Sequence, residues 1–312
     1  MALLPTTPML TSVDLSWVRV LHLEPTTVCN AACPQCAREN PALFDADTNR
    51  SELSLSRTQE LFSLEFARKL DKVFMCGNFG EPAAAKDTLE IFRFFREHNK
   101  QVTLGMNTNG SVRDHQWWQE LAGIFSNSLD YVVFSLDGLD DTNHIYRRNT
   151  SWSRIMNNVQ SFISAGGTAH WDMLIFEHNQ HQVHQARDLA RDLGFSWFRA
   201  KVSKRFATVS LSDIRPPVGF SLPNVKHSKR IRCHALNESS IYVSANGKVL
   251  PCCWFGEQVF ALDPYAKELL DDWHALEQSW STHPHPVCVR TCSQDELGTS
   301  FSKQWQIEEQ LK

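Results

Sequence analysis

A repeated alternation constrains this chain more than any other feature. From Val18 to about Lys201, short apolar runs rich in β-branched residues take turns with longer stretches of helical period. The runs Val18–Leu23, Lys72–Cys76, Gln101–Met106, Tyr131–Leu136, His170–Phe176 and Trp197–Lys201 read as strands. The segments Arg57–Lys69, Thr88–His98, Asp114–Phe125, Ser153–Ser164 and Gln180–Leu193 read as helices. Ser56 with Gln59 forms a capping-box pattern, Asp87 with Glu90 an acidic version of it, and Gly166-Gly167 and Gly194 stand where helices stop. Strand alternating with helix builds βαβ units and a parallel sheet, here expected to curve into a partial (β/α)6 TIM-like barrel of the α/β class. In such folds the chemistry collects on loops at the carboxyl ends of the strands. The unusual motifs of this chain fall there: CNAACPQC after the first strand, GNFGEP after the second, NTNG after the third, SLDG at the end of the fourth and EHN after the fifth.

Beyond about Ala207 the pattern changes. SDIRPPVGFSLPNVKHSKR reads as a linker, and IYVSANGKVLPCC as two short strands turned at Asn246-Gly247. A helix is expected over Ala266–Gln278, then HPHPVCVRTC and a polar helical tail. The expected organisation is an N-terminal extension over 1–17, the barrel over 18–207, and over 208–312 the linker plus a small cysteine-rich β-hairpin/helix domain. That last part is too short and too cysteine-rich to be an independent apolar domain, and a bound metal centre would make up the deficit.

Composition removes several function classes. The 312 residues are 42% hydrophobic with nineteen Phe and ten Trp, enough core to exclude general disorder. A formal charge of −4 does not suit a nucleic-acid binder. No apolar run approaches the roughly 18 residues a membrane span needs. The first ten residues lack the charged start and apolar stretch of a secretory signal, so the cytoplasm is the expected compartment.

The nine cysteines are distributed as ligands rather than as disulfide partners: three within eight residues, Cys76 alone, and five in the last quarter. Cys29-x3-Cys33-x2-Cys36 sets three thiols on one tight loop. An iron–sulfur cubane accepts one cysteine per iron, so three would leave one iron open for a reactive role. A structural zinc is the alternative, although zinc knuckles usually come as paired Cys-x2-Cys units.

LEPTTVCNAACPQC resembles the cluster loop of the radical S-adenosylmethionine (SAM) superfamily, and the likeness runs over roughly residues 18–292. It implies that Cys29, Cys33 and Cys36 hold a 4Fe–4S cluster whose open iron binds SAM. The cluster would cleave SAM to methionine and a 5′-deoxyadenosyl radical that takes a hydrogen atom from substrate. The residue before the last cysteine, commonly aromatic in that family, is Gln35 here. Gly77, Gly80 and Glu81 resemble the family's Gly-Gly-Glu-Pro motif, with an insertion between the glycines; they imply a close backbone approach to SAM and a carboxylate for its ammonium. Ser135, Asp137 and Arg147 resemble the strand-four pattern, the serine and arginine contacting the SAM carboxylate and the acid lying near the ribose. Arg148 is an alternative to Arg147. Asn107 and Asn109 are candidate pocket walls, and Asn179 reads as a helix cap.

Cys233, Cys252, Cys288 and Cys292 resemble the short form of the SPASM module, usually called a twitch domain, and imply one auxiliary 4Fe–4S cluster; structural zinc on the same residues is the alternative. Cys253 could replace Cys252, serve as a free thiol at the active site, or be inert. Cys76 reads as core, His283 and His285 as surface residues of a Pro-rich loop, and Phe92, Phe95 and Trp117 as core stripes. The expected function is SAM-dependent hydrogen abstraction from a peptide or protein. The alternatives are a dehydrogenase or epimerase of a small molecule such as a sugar or alcohol, and a non-catalytic iron–sulfur or zinc protein that retains the barrel. With so short a stretch before the first strand, the leader-binding domain of many peptide-modifying relatives is expected to be missing, which weakens the peptide expectation without removing it. In an oxidation, Glu177 or Asp172 would be the base; in an epimerisation, Cys253 would return the hydrogen atom. A flavodoxin or ferredoxin would supply the electron.

Overall fold

The structure is a computed structural model that describes residues 15–207, 209, 213–222, 230–257, 273–293 and 311. Its centre is an 8-stranded sheet in the order β6-β5-β4-β3-β2-β1-β7-β8. The first six strands are β1 (Val20–Leu23), β2 (Lys72–Met75), β3 (Thr103–Thr108), β4 (Tyr131–Ser135), β5 (Ala169–Ile175) and β6 (Trp197–Val202). Each pairs in parallel with its neighbour in sequence, as the βαβ pattern requires.

Period-two alternation sorts the strand residues onto two faces. Leu21, Leu23, Val73, Met75, Leu104, Met106, Val132, Phe134, Trp171 and Met173 belong to the main hydrophobic core, under the helices. The residues between them, His22, Phe74, Gly105, Val133 and Asp172, point to the inner face. His22 stacks on Phe74 at 4.3 Å, Tyr131 stacks on His170 at 5.2 Å, and the Lys72 ammonium lies 4.7 Å from the Tyr131 ring centre. Lys72 is on β2 and Tyr131 on β4, so this contact passes over β3. Gly105 of β3 permits it, because a Cβ there would meet the Tyr131 ring at 2.8 Å. An apolar outer face and an inner face that mixes polar with aromatic residues suit a barrel whose interior receives a ligand.

The covering helices are α1 (Leu55–Leu61), α2 (Leu64–Arg68), α3 (Thr88–His98), α4 (His115–Ile124), the single turn α5 (Asn143–Tyr146), α6 (Trp152–Ser164) and α7 (Val183–Leu193). The helix expected over Arg57–Lys69 is thus two. Phe62 is extended, and Ser63 restarts the helix by accepting the Phe66 N–H. Ser54, not Ser56, caps α1 by accepting from Arg57 N at 3.1 Å. Asp87 precedes α3 without capping it; its carboxylate accepts from Leu55 N at 2.9 Å and ties α3 to α1. Gly194 ends α7 at φ 87°, the left-handed conformation that a glycine stop supplies. Phe92 and Phe95 are fully buried and Trp117 packs partly buried beside them, as core stripes should.

The C-terminal part brings a topological surprise. The hairpin forms as expected, β7 (Ser240–Val243) antiparallel to β8 (Val249–Leu250), with Gly247 at φ 77° in the turn. β7 also pairs in parallel with β1, Val20 opposite Ser240 through Leu23 opposite Val243. The hairpin therefore extends the barrel sheet. Around it lie the single turns α8 (His234–Asn237) and α9 (Cys253–Gly256), then α10 (Trp273–Ser279) and α11 (Pro286–Cys292). The first part of the helix expected over Ala266–Gln278 and the polar tail fall outside the described residues. His283 is exposed as expected, but His285 is buried: it caps α11 by accepting from Val287 N at 3.2 Å and packs 4.8 Å from the Phe255 ring. Among the described residues no helix is long and apolar enough to cross a membrane.

Candidate active site

The loop after β1 folds around its own cysteines. Cys36 N donates to Cys33 O at 2.9 Å, and Ala31 N reaches the Cys29 sulfur at 3.3 Å. Each sulfur faces a different neighbouring loop. Asn109 Nδ2, following β3, lies 3.9 Å from Cys29 Sγ; Arg147 Nη1, following β4, lies 3.9 Å from Cys33 Sγ; and the Cys36 thiol points at Asn78 O, following β2, at 3.8 Å. Burial pushes Cys29 up to about 12 and Cys33 up to about 11, so these thiols stay protonated until a cation takes their protons' place.

The β2 loop is shaped for close backbone approach. A Cβ on Gly77 would lie 2.3 Å from Gly80 O, and one on Gly80 only 1.7 Å from Thr26 O. Glu81 is buried and already committed. It accepts from Thr108 Oγ1 at 2.6 Å, Asn109 N at 2.7 Å and Ala83 N at 3.1 Å, while burial raises its pKa. Its primary contacts thus join the β2 and β3 loops. Glu24, unremarked in the sequence, is wholly buried behind the same loop; it accepts from Phe79 N at 2.7 Å and Gly80 N at 3.2 Å, and from the Tyr242 hydroxyl of β7. Burial pushes Glu24 up to about 7. An acid directly after an apolar strand was the available signal for it.

Just after β4, Asp137 is fully buried and binds Arg147 Nε at 2.6 Å and Leu174 N at 2.6 Å. Burial favours the neutral acid at Asp137, and Arg147 opposes it. Burial also works against the charge on Arg147, yet Asp137 and Cys33 outweigh it and hold the guanidinium protonated. Arg147, rather than Arg148, therefore reaches the cysteine loop; Arg148 pairs with Asp213 at the surface. Ser135 closes β4, half-buried and in register with Asp172. Asn179 caps no helix: its Nδ2 donates to Asp137 O and Leu174 O, both at 2.9 Å.

The buried polar atoms that lack a partner among the described residues include Asn107 Oδ1 on the inner face of β3 and Gln35 Nε2 on the cysteine loop. Gln35 is anchored through its other end, where Oε1 accepts from Ser203 Oγ at 2.7 Å. An unsatisfied acceptor, an unsatisfied donor and a glycine cradle beside three thiols fit a polar ligand held over a metal cluster.

The two candidate bases are both paired with cations. Burial alone would raise the Asp172 pKa, but Lys201 at 2.9 Å and Arg199 at 2.7 Å outweigh it and hold the carboxyl below its ordinary range. A carboxylate so paired is a weak base. Glu177 is half-exposed and 3.7 Å from Arg215.

In the C-terminal part, Cys292 lies within electrostatic reach of Cys233, Cys252 and Cys288, and Cys252 within reach of Cys233 and Cys288. A hydrogen bond from Cys233 to Cys292 separates the two pKa values, with Cys292 falling below the ordinary thiol range. Burial pushes Cys252 up to about 12 and Cys288 up to about 11. Cys253 has other surroundings: its thiol, raised by burial, neighbours Cys252, Cys76 and Glu257. Cys76 itself is half-buried, with burial pushing its thiol up to about 12. Among the described residues no three His, Cys, Asp or Glu side chains converge at single-ion spacing.

Residues 23–190 match the model of the Radical SAM superfamily. The chain belongs to that superfamily. A radical SAM protein is an enzyme with a 4Fe–4S cluster and SAM as cofactors, which is what the cysteine loop and glycine cradle fit. The sequence is 28% identical over 149 residues to the GTP 3′,8-cyclases of Yersinia pestis and of Klebsiella pneumoniae; the stretch is 47% of this chain, and 42% and 43% of theirs. In fold it resembles SuiB of Streptococcus suis bound to SAM, with 16% identity, a TM-score of 0.57, and coverage of 82% of this chain and 65% of SuiB. It also resembles anSMEcpe with bound SAM and the Cp18Cys peptide, at 12% identity, a TM-score of 0.53 and 88% coverage of each chain. The chain spans less than half the length of the curated cyclases and about two thirds of SuiB.

Proposed function

We propose that this enzyme cleaves SAM reductively at a cluster on Cys29, Cys33 and Cys36 and modifies a peptide or protein. The observation that carries the reading is that one loop presents three thiols, each meeting a different neighbouring loop of the barrel mouth. When bound, cluster and SAM together supply a 5′-deoxyadenosyl radical that takes a hydrogen atom from the substrate. The chain's own residues bind and orient. Gly77 and Gly80 leave backbone room for the SAM amino acid, and Arg147, charged and fixed by Asp137, meets its carboxylate. Asn107 Oδ1 and Gln35 Nε2 offer unfilled hydrogen bonds to the nucleoside. Cys233, Cys252, Cys288 and Cys292 would hold an auxiliary 4Fe–4S cluster, which would supply an electron acceptor for an oxidation. Cys253, a protonated thiol with neighbours of its own, is the donor if the reaction is epimerisation. A flavodoxin or ferredoxin supplies the first electron.

Two observations favour a peptide: the SuiB fold also matches when that protein is bound to its precursor peptide SuiA, and anSMEcpe matches with a peptide in place. The cyclase likeness favours a second reading, a small-molecule substrate, though over less than half of each chain. The test is anaerobic incubation of the reconstituted protein with dithionite and SAM. We expect 5′-deoxyadenosine from the intact chain and none from Cys33→Ala; equal yields from the two would overturn the reading. With a substrate in hand, deuterium taken up from solvent and lost in Cys253→Ala would mark epimerisation, and its absence oxidation.

A further inference from the structure

We propose that Asn78 couples the two metal sites, so that loading the C-terminal cysteines tightens SAM binding at the first cluster. This rests on the two-cluster reading above. Asn78 is the first of the two residues, Asn78 and Phe79, that separate the glycines of the β2 loop. Its backbone carbonyl accepts from the Cys36 thiol at 3.8 Å. Its side-chain Nδ2 crosses to the C-terminal part, donating to Cys253 O at 2.8 Å and to the Tyr242 hydroxyl at 3.2 Å. One residue thus touches a ligand of the first cluster and the backbone immediately after Cys252.

The packing around this bridge is tight. A Cβ on Gly256 of α9 would meet Asn78 Nδ2 at 2.6 Å and the Tyr242 ring at 2.4 Å, so α9 is seated directly on the amide. Tyr242 donates in turn to Glu24, whose other oxygen holds Phe79 N and Gly80 N. The β2 loop is therefore gripped twice from the C-terminal part, through Asn78 and through Tyr242–Glu24. A metal on Cys252 immobilises the carbonyl of Cys253, and with it Asn78 and the glycine cradle. SAM then finds a loop whose ordering has already been met, which is coupling through conformational entropy. By linkage, SAM must stabilise the auxiliary site by the same factor.

The experiment is a binding cycle at the first cluster, read from the SAM-induced change in its reduced EPR signal. Four reconstituted proteins are titrated: the unaltered chain, the chain with Cys233, Cys252, Cys288 and Cys292 all changed to Ala, and each of these with Asn78→Ala. In the unaltered background, losing the auxiliary cysteines should weaken SAM binding at least about 5-fold, the lower end of ordinary coupling. With Asn78→Ala the same loss should change it less than about twofold. Equal ratios in both backgrounds, or no loss in the first, would overturn the proposal. Should the quadruple variant not fold, the auxiliary EPR signal serves instead: SAM should perturb it in the unaltered chain and leave it unchanged in Asn78→Ala, and an identical response in both would count against Asn78. Failure of the underlying reading looks different, since a chain that takes up only about four irons has no second cluster to couple.

Discussion

Glu24 shows how much one residue can hold at this site. Its carboxylate is enclosed between the β2 loop and β7, accepting two backbone N–H groups and one hydroxyl. Burial lifts its pKa from 4.5 to about 7, which makes ionisation costly in the fold. Because the folded pKa is the higher one, the contribution of this group to stability is whole below about pH 4.5 and is lost as pH rises through about 7. The size of that loss is about 3 kcal/mol, at about 1.4 kcal/mol per unit. Glu24→Gln keeps an acceptor for Phe79 and Gly80 but cannot ionise. Urea midpoints measured from pH 5 to pH 8 should therefore fall less steeply with pH in the variant; parallel slopes would show that Glu24 ionises without cost.

Among the elements, the junction of α3 with β3 and β4 has the clearest energetic signature. Arg96 of α3 is buried and meets Asp130 Oδ2 at 2.5 Å, just ahead of β4. Asp130 also accepts from Leu104 N of β3 at 2.7 Å and from Asn127 N at 2.8 Å, while Arg96 donates to Val102 O at 2.7 Å. Asp130→Ala leaves a buried guanidinium and two backbone donors unmatched. It should cost about 3–5 kcal/mol, as breaking buried pairs does. Chemical denaturation measures it; a loss below about 1 kcal/mol would put this pair in the class of solvated surface bridges. The functional loops hang from β2, β3 and β4, so partial unfolding here should also loosen SAM binding.

At the scale of the whole molecule, one sheet carries both cysteine groups. β1 is flanked by β2 on one side and β7 on the other, so the first cysteine loop leaves the sheet between the glycine cradle and the C-terminal hairpin. Anaerobic reconstitution should give about eight irons per chain, and about four after Cys29, Cys33 and Cys36 are replaced by Ala. Zinc without sulfide would exclude both clusters. Iron and acid-labile sulfide assays, with Mössbauer spectra for cluster type, decide between these outcomes.

The barrel was legible in the sequence because strand and helix periods are local properties: Leu21 and Leu23 alternate with His22 whatever the rest of the chain does. The three-cysteine loop and the glycines of GNFGEP were legible for the same reason, since ligand spacing and backbone room are set within a few residues. Helix breaks such as Ser63 were missed because a serine in a helical run signals a restart only when its side chain finds the N–H of the new turn. What only the tertiary structure decided are the long-range partnerships. Tyr242 meets Glu24 across 218 residues and Asn78 meets Cys253 across 175. A buried aspartate holds Arg147, while Arg148 pairs at the surface, and two cations on β6 pair with Asp172. Charge state and site membership depend on what stands opposite in space, and sequence spacing holds no record of that.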